Sequence, residues 1–308
     1  MRRILILFLT VGCLGGPQDV QIASWPQGYK SAVCITFDTE IANGSQIERV
    51  INTLGSKNAT FFIVAGYFEG RQEDLELLRN YDIGSMAWAQ AEWEDSDLSE
   101  EFQLKEMQTA HEWLAERGFN PTGFRAPFLK SNEDTIEAVS AMGYTYDSSQ
   151  YLGTMPYITD GVVEIPLSLN FDAYWSEKSI GYSTLPFYLA FEDTYKSEGL
   201  FTFYSHVGTA SENIEDLRAF LDYMSTKRLW IAPAEQVADW WISRNSLYLT
   251  VRGDVITVKN TGGKPVEGVT IKISPKRTVR GALHTWDDEK VTYAVLPRID
   301  AGEEVMVL

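Results

Sequence analysis

The sequence predicts an α/β fold: a β/α barrel, closed or incomplete, followed by a small all-β domain. Between residues 29 and 245, short apolar runs alternate with amphipathic helical stretches, as parallel strands do with covering helices. After residue 245 the pattern changes to apolar/polar alternation with a period of two. The 308 residues, 44% hydrophobic, suffice for one large domain with a buried core plus a small one.

In chain order, the start MRRILILFLTVGCLGG has a basic tip, an apolar stretch over 4–11 and small residues around Cys13, the layout of a secretory signal. The apolar stretch is too short to span a bilayer as a helix. A cysteine directly after such a stretch looks like a lipoprotein signal. On that reading residues 1–12 are the signal peptide, Cys13 is the lipidated first residue of the mature chain and 13–28 form a linker. An ordinary cleaved signal or a disordered tail is the alternative. The expected place of work is outside the cytoplasm, secreted or anchored to the membrane through Cys13.

The barrel, 29–245, is expected to use strands at 32–37, 59–65, 83–88, 123–124, 144–146, 162–165, 200–204 and 230–232. Helices are expected at 46–54, 73–80, 100–117, 133–142, 185–196, 214–227 and 234–244, with Ser131 and Asp134 as a cap for one of them. In 246–308, Leu247, Leu249 and Val251 precede a turn at Gly253-Asp254, and Val269, Ile271 and Ile273 face one side, which suggests a small β-sandwich.

The balance of 43 acidic against 26 basic residues, a net charge of −17, argues against nucleic acid as a partner. The two cysteines, Cys13 and Cys34, give no disulfide framework, and Cys34 within a strand is a small buried hydrophobe.

Residues that follow the strands of a parallel barrel collect at its C-terminal rim, where active sites are built. In SAVCITFDTE, a buried strand ends in Asp38 and Glu40, two carboxylates that are costly there unless something uses them. Arg125 follows a strand in GFRAP, Asp147 in YTYDSS, and His206 ends LFTFYSH. Any one of these residues is satisfied as a solvated strand end or a structural ion pair. As a set on parallel strands, they are expected to open onto one mouth.

With TFDTE, DIGSMAWAQ, FRAPF, YDSS and YSH in this order and spacing, the chain resembles the polysaccharide deacetylase family, carbohydrate esterase family four or the NodB-homology domain. The resemblance covers nearly all of 29–245. It implies a distorted (β/α)7 barrel of the NodB-homology type that hydrolyses the amide of an N-acetylated glycan or a related small amide. Asp38 matches the general base, Arg125 the arginine that orients it, and His206 the acid that protonates the leaving amine; carboxylate and imidazole can share these duties near neutral pH. Glu40 falls where some relatives carry a metal-binding acid. Trp88, Pro127, Phe128 and Tyr151 make up the expected substrate-binding set, and Trp93, Tyr174 and Trp175 are further aromatic candidates whose alternative is packing.

The chain departs from the family at the divalent ion, zinc for example, which relatives hold with two histidines four residues apart. Met86 and Gln90 stand in those places, and neither suits a site built from hard carboxylates. The three histidines, His111, His206 and His284, contain no such pair. No metal is therefore expected, with Glu40 and Glu92 as weak candidates in a substitute cluster with Asp38 and His206. Gln150 and Tyr151 also replace the family's Asp-Trp pair, and Leu129 a common glycine. Two functions follow: a deacetylase-like hydrolase with an unusual metal site or none, or an inactive glycan-binding protein derived from one. A structural surface protein is a third.

Overall fold

The computed structural model describes residues 19–40, 42–55, 58–90, 93, 97–151, 153–173 and 185–308. Cys13, Glu92, Tyr174 and Trp175 lie outside these residues. The chain divides into two compact units, one of 29–242 and one of 1–28 with 243–308.

The segment expected as a linker carries a strand, β1 (Asp19–Ile22). It pairs antiparallel with a strand near the C-terminus, Ile22 opposite Ile271. Its exposure alternates residue by residue, which is what a half-buried strand needs and what composition alone did not signal.

The large unit begins with β2 (Ser31–Asp38), every residue of which is buried. Along the chain follow α1 (Gly44–Leu54), β3 (Thr60–Ile63), α2 (Gln72–Glu76), β4 (Asp82–Ser85), α3 (Glu100–Ala115), β5 (Gly123–Phe124), α4 (Glu133–Ala141), β6 (Tyr146–Asp147), β7 (Tyr157–Thr159), β8 (Val162–Glu164) and β9 (Leu169–Asn170). Then come α5 (Leu185–Lys196), β10 (Leu200–His206), α6 (Val207–Glu212), α7 (Ile214–Ser225), β11 (Leu229–Ile231) and α8 (Ala234–Asn245). The helix starts have local causes. Asn43 and Gln46 form a reciprocal cap on α1, while Asn132 and Thr135, rather than Ser131 and Asp134, cap α4.

The strands form one curled sheet in the order β7-β8-β6-β5-β4-β3-β2-β10-β9, parallel except for β7, with β11 also on β2. Residues 162–170 carry both β8, which pairs with β6, and β9, which pairs with β10. Alternation fixes the two faces. Val33, Ile35 and Phe37 join Phe61, Ile63, Phe201 and Phe203 in a core with Ile47 and Val50 of α1 and Leu217 and Phe220 of α7. Burying each of those phenylalanines contributes about 1.5–3 kcal/mol. The intervening Thr36 and Asp38 face the other way, with Tyr204 and His206 in register beside them.

Two glycines make that inner face possible. A Cβ at Gly84 would lie 2.4 Å from the Phe62 ring, and one at Gly123 would lie 2.1 Å from the ring of Tyr146. The Phe62 ring therefore occupies the space over Gly84 and the Tyr146 ring that over Gly123, edge to face with each other, and Phe62 forms a platform under Arg125.

The small unit holds two antiparallel sheets. One is β1 with β14 (Thr270–Ser274), β16 (Thr292–Val295) and β15 (His284–Asp287); the other is β12 (Leu247–Arg252), β13 (Val255–Asn260) and β17 (Glu304–Val307). Gly253, at φ 59°, makes the β12–β13 turn in the left-handed conformation that glycine adopts without strain. Val269, Ile271 and Ile273 are fully buried.

Candidate active site

Asp38, the last residue of β2, has no solvent exposure, so its carboxyl needs built-in partners. Arg125 Nη1 donates to Asp38 Oδ1 at 2.7 Å. The guanidinium is itself locked: Nη2 donates to Thr36 Oγ1 and Ser148 Oγ, and Nε to the Ser148 carbonyl, all at 3.0 Å. Its Cζ lies 3.9 Å over the Phe62 ring and 5.1 Å from that of Tyr204, a stacking geometry that suits arginine. Asp38 Oδ2 is buried and has no hydrogen-bond partner among the described residues. Burial, opposed by Arg125 and reinforced by the Glu40 charge, pushes the Asp38 carboxyl up to about 6.

His206 ends β10 in register with Asp38. Its Nδ1 lies 2.5 Å from Asp172 Oδ2, which also accepts from the His206 backbone N–H at 3.1 Å. Ser205 Oγ donates to the other Asp172 oxygen at 2.6 Å. His206 Nε2 faces Glu40 Oε2 at 3.6 Å. Burial works against the charged imidazole, but the bonds to Asp172 and Glu40 and the charges of Glu40 and Asp38 outweigh it, raising His206 to about 11. Asp172, two residues after β9, was missed in the sequence. Its signal is the same as that of Asp38, an apolar strand ending in Asp in LSLNFD, but the strand itself is only two residues long.

Asp38, Arg125 and His206 thus meet, as their places at the strand ends require. Asp147 does not join them at an open mouth. It is 1% exposed, shares its register with Phe124 and Glu164 rather than with Arg125, and accepts from Ser149 Oγ at 2.7 Å. Among the aromatic candidates, Phe128 is 54% and Tyr151 41% exposed, whereas Pro127 is buried. Phe128 and Leu129 both have positive φ, 57° and 56°, a strained turn that holds the Phe128 ring outward. The Tyr151 hydroxyl is raised by burial and feels the charges of Arg125, Asp38 and Asp172. Trp88 is half-buried against Trp113, and Trp93 is fully buried against Phe102 and Phe124, so Trp93 packs the core.

Residues 27–146 match the family model described as polysaccharide deacetylase. Over this segment the chain matches the polysaccharide deacetylase family. The match takes in Asp38, Glu40, Met86, Gln90 and Arg125 and ends before Asp172 and His206, which join the site through geometry. A structure from Mycobacterium smegmatis assigned as a polysaccharide deacetylase superposes with a TM-score of 0.59 at 20% identity, over 73% of this chain and 94% of that one. A similar assignment from Pseudomonas aeruginosa gives 0.59 at 18%, over 70% and 92%. Puue allantoinase gives 0.60 at 16%, over 70% and 92%. These likenesses establish the fold. No curated protein matches the chain.

The segment departs from the family pattern at the two positions expected to hold a metal, Met86 and Gln90. Met86 is 1% exposed, with its backbone N–H bonded to Ile63. Gln90 donates its amide Nε2 to Glu40 Oε1 at 2.5 Å and accepts from Tyr67 at 3.4 Å, so its donor group faces the carboxylate. The two-histidine mode of holding an ion therefore does not fit these residues. Asp38, Glu40 and His206 do bring one potential ligand atom each within 4.8 Å of one another. An ion there would take His206 as a ligand and leave no imidazole at the site for acid duty.

Proposed function

We propose that this chain hydrolyses the amide of an N-acetylated glycan, or a related small amide, with Asp38 as base and His206 as acid. The observation that carries this reading is the free, buried Oδ2 of Asp38 beside a histidine whose Nδ1 is held by a carboxylate. A water between them loses its proton to Asp38 as it attacks the acetyl carbonyl. The His206 proton then passes to the departing amine, leaving acetate and a free amino sugar. Arg125 fixes the lone pair of Asp38, and Asp172 fixes the ring and proton of His206. The likeness to an allantoinase, alongside deacetylases, is consistent with amide hydrolysis on this scaffold.

The distorted (β/α)7 barrel belongs to this reading and is supported by β8 and β9 lying on one stretch, 162–170, that joins β6 to β10. So do the closing β-sandwich, supported by the two antiparallel sheets of the small unit, and a place outside the cytoplasm through the signal-like start and Cys13. Exposed Phe128 and Tyr151 supply faces for stacking on a sugar ring.

Met86 and Gln90 favour a second reading, a glycan-binding protein that binds without turnover. Acetate release from N-acetylglucosamine oligomers, with and without chelator, separates the two. Robust release that chelator abolishes would defeat both the binding reading and the metal-free assignment.

A further inference from the structure

One pair of buried acids takes no part in the chemistry above. Asp147 on β6 and Glu164 on β8 are direct cross-strand neighbours, each 1% exposed. Phe124 stands opposite Asp147 on β5 and Tyr157 opposite Glu164 on β7, and Arg125, whose charge reaches both carboxyls, is already committed to Asp38, Thr36 and Ser148. Two adjacent carboxylates in such surroundings cannot both ionise, so one proton stays between them. Burial, then the Asp147 charge and the bond between the two groups, hold Glu164 well above the usual carboxylate range.

Among the described residues, the further side-chain hydrogen bonds of the pair lead to the turn that grips Arg125. Glu164 Oε1 accepts the Gln150 backbone N–H at 3.1 Å. Asp147 Oδ1 accepts from Ser149 Oγ, which in turn accepts the Ala126 N–H at 2.8 Å, one residue after Arg125. Ser148, between these residues, provides the carbonyl and hydroxyl that hold the guanidinium, and its own hydroxyl donates to the Ile165 carbonyl at 2.9 Å. A pair of apolar residues would fill the same volume without paired polar groups to satisfy, but it would leave the turn's Gln150 N–H and Ser149 hydroxyl without these partners.

We propose that Asp147 and Glu164 act as a singly protonated carboxyl brace, positioning residues that hold the 148–150 turn against Arg125 and so fix the orientation of Asp38. The role rests on Asp38 being the base. A guanidinium out of place by a fraction of an ångström would leave the carboxylate badly aimed at its water, a fault that lowers kcat far more than substrate binding.

The test uses the full chain and reads Arg125 directly. In the unmodified protein at about pH 8, infrared spectra should show a protonated carboxyl band that moves on isotopic labelling of glutamate and disappears in Glu164→Gln. Nuclear magnetic resonance should show separate, slowly exchanging Nη signals from the locked Arg125. Those signals should survive in Glu164→Gln, whose amide can donate to Asp147 and accept from Gln150, and should merge in Glu164→Leu and Ser149→Ala. With a substrate that is turned over, the latter two variants should lose about tenfold to a hundredfold in kcat with little change in KM, and Glu164→Gln should recover most of it. Absence of the protonated band, or Arg125 signals unchanged in Ser149→Ala, overturns the brace whether or not Glu164→Leu folds. If the unmodified protein turns over no amide, the hydrolase reading fails, and the infrared and resonance measurements still decide whether the brace exists.

Discussion

Arg125 Nη1 donates to Asp38 Oδ1 at 2.7 Å with neither side chain exposed by more than 1%. A buried pair of this kind is strongly coupled, because removing either partner strands a charge in a medium that solvates it poorly. Arg125→Ala should therefore cost about 3–5 kcal/mol of stability, read as a shift of the urea midpoint. Arg125→Lys should recover only part, since an ammonium cannot reach Asp38, Thr36 and Ser148 at once. A loss within experimental error would mean that the pair contributes nothing to holding the site.

The protonation states set a pH profile. Asp38 works as a base only when ionised, and it is pushed up to about 6, so kcat/KM should climb through about pH 6. His206 must carry its proton and is raised to about 11, so the rate should stay flat well past neutrality. Asp172→Asn removes the carboxylate at Nδ1, and the alkaline limb should move down toward the ordinary imidazole range with a loss of about tenfold or more in kcat. An unmoved alkaline limb would show that Asp172 does not hold the proton.

Asp82 supplies a stability test away from the chemistry. Its Oδ2 accepts from Thr60 at 2.7 Å and from the Glu235 backbone N–H at 3.2 Å, tying β4 to β3 and to the start of α8. Burial, against those hydrogen bonds, pushes it up to about 6. The folded protein then binds this proton more tightly than the unfolded chain does, so the contribution is fully present below about pH 4 and is lost as pH rises through about 6. Asp82→Asn keeps the acceptor and removes the charge. It should flatten that part of the stability curve, as followed by urea denaturation at several pH values.

Much of this architecture could be read from the sequence. The strand ends at Asp38, Arg125 and His206 could be located because each closes a short apolar run. The gaps have physical causes. β9 is two residues long and β1 is half-exposed, so neither gives a run that stands out. Asp172 was missed along with β9. Asp147 was expected at the mouth because the sequence shows that it follows a strand but not its register, and one step of register puts its side chain on the opposite face from Arg125. Trp93 shows the same limit: composition gives an aromatic, and only packing decides between rim and core.

The metal positions give a further expectation. Dialysed protein should carry well below one zinc per chain by elemental analysis, because Met86 is buried and Gln90 turns its amide donor toward Glu40. Replacing both residues with histidine should add zinc binding and cost about 1–3 kcal/mol for the imidazole placed at the Met86 site. One tightly held ion in the unmodified protein would contradict the assignment of His206 as a free acid.

Gly84 tests the platform beneath the guanidinium. An added Cβ would meet Phe62 at 2.4 Å, so Gly84→Ala should destabilise the protein by about 1–3 kcal/mol and loosen Arg125 as the ring shifts. A variant that melts with the unmodified protein would show that the ring has room to move.

The central claim, that Asp38 and His206 share one hydrolytic step, is tested most directly by acetate release from N-acetylated glycan oligomers, comparing the unmodified chain with Asp38→Ala and His206→Ala. The account predicts measurable release by the unmodified chain and a fall of about a hundredfold or more in each variant. Release that continues undiminished in either variant would contradict it.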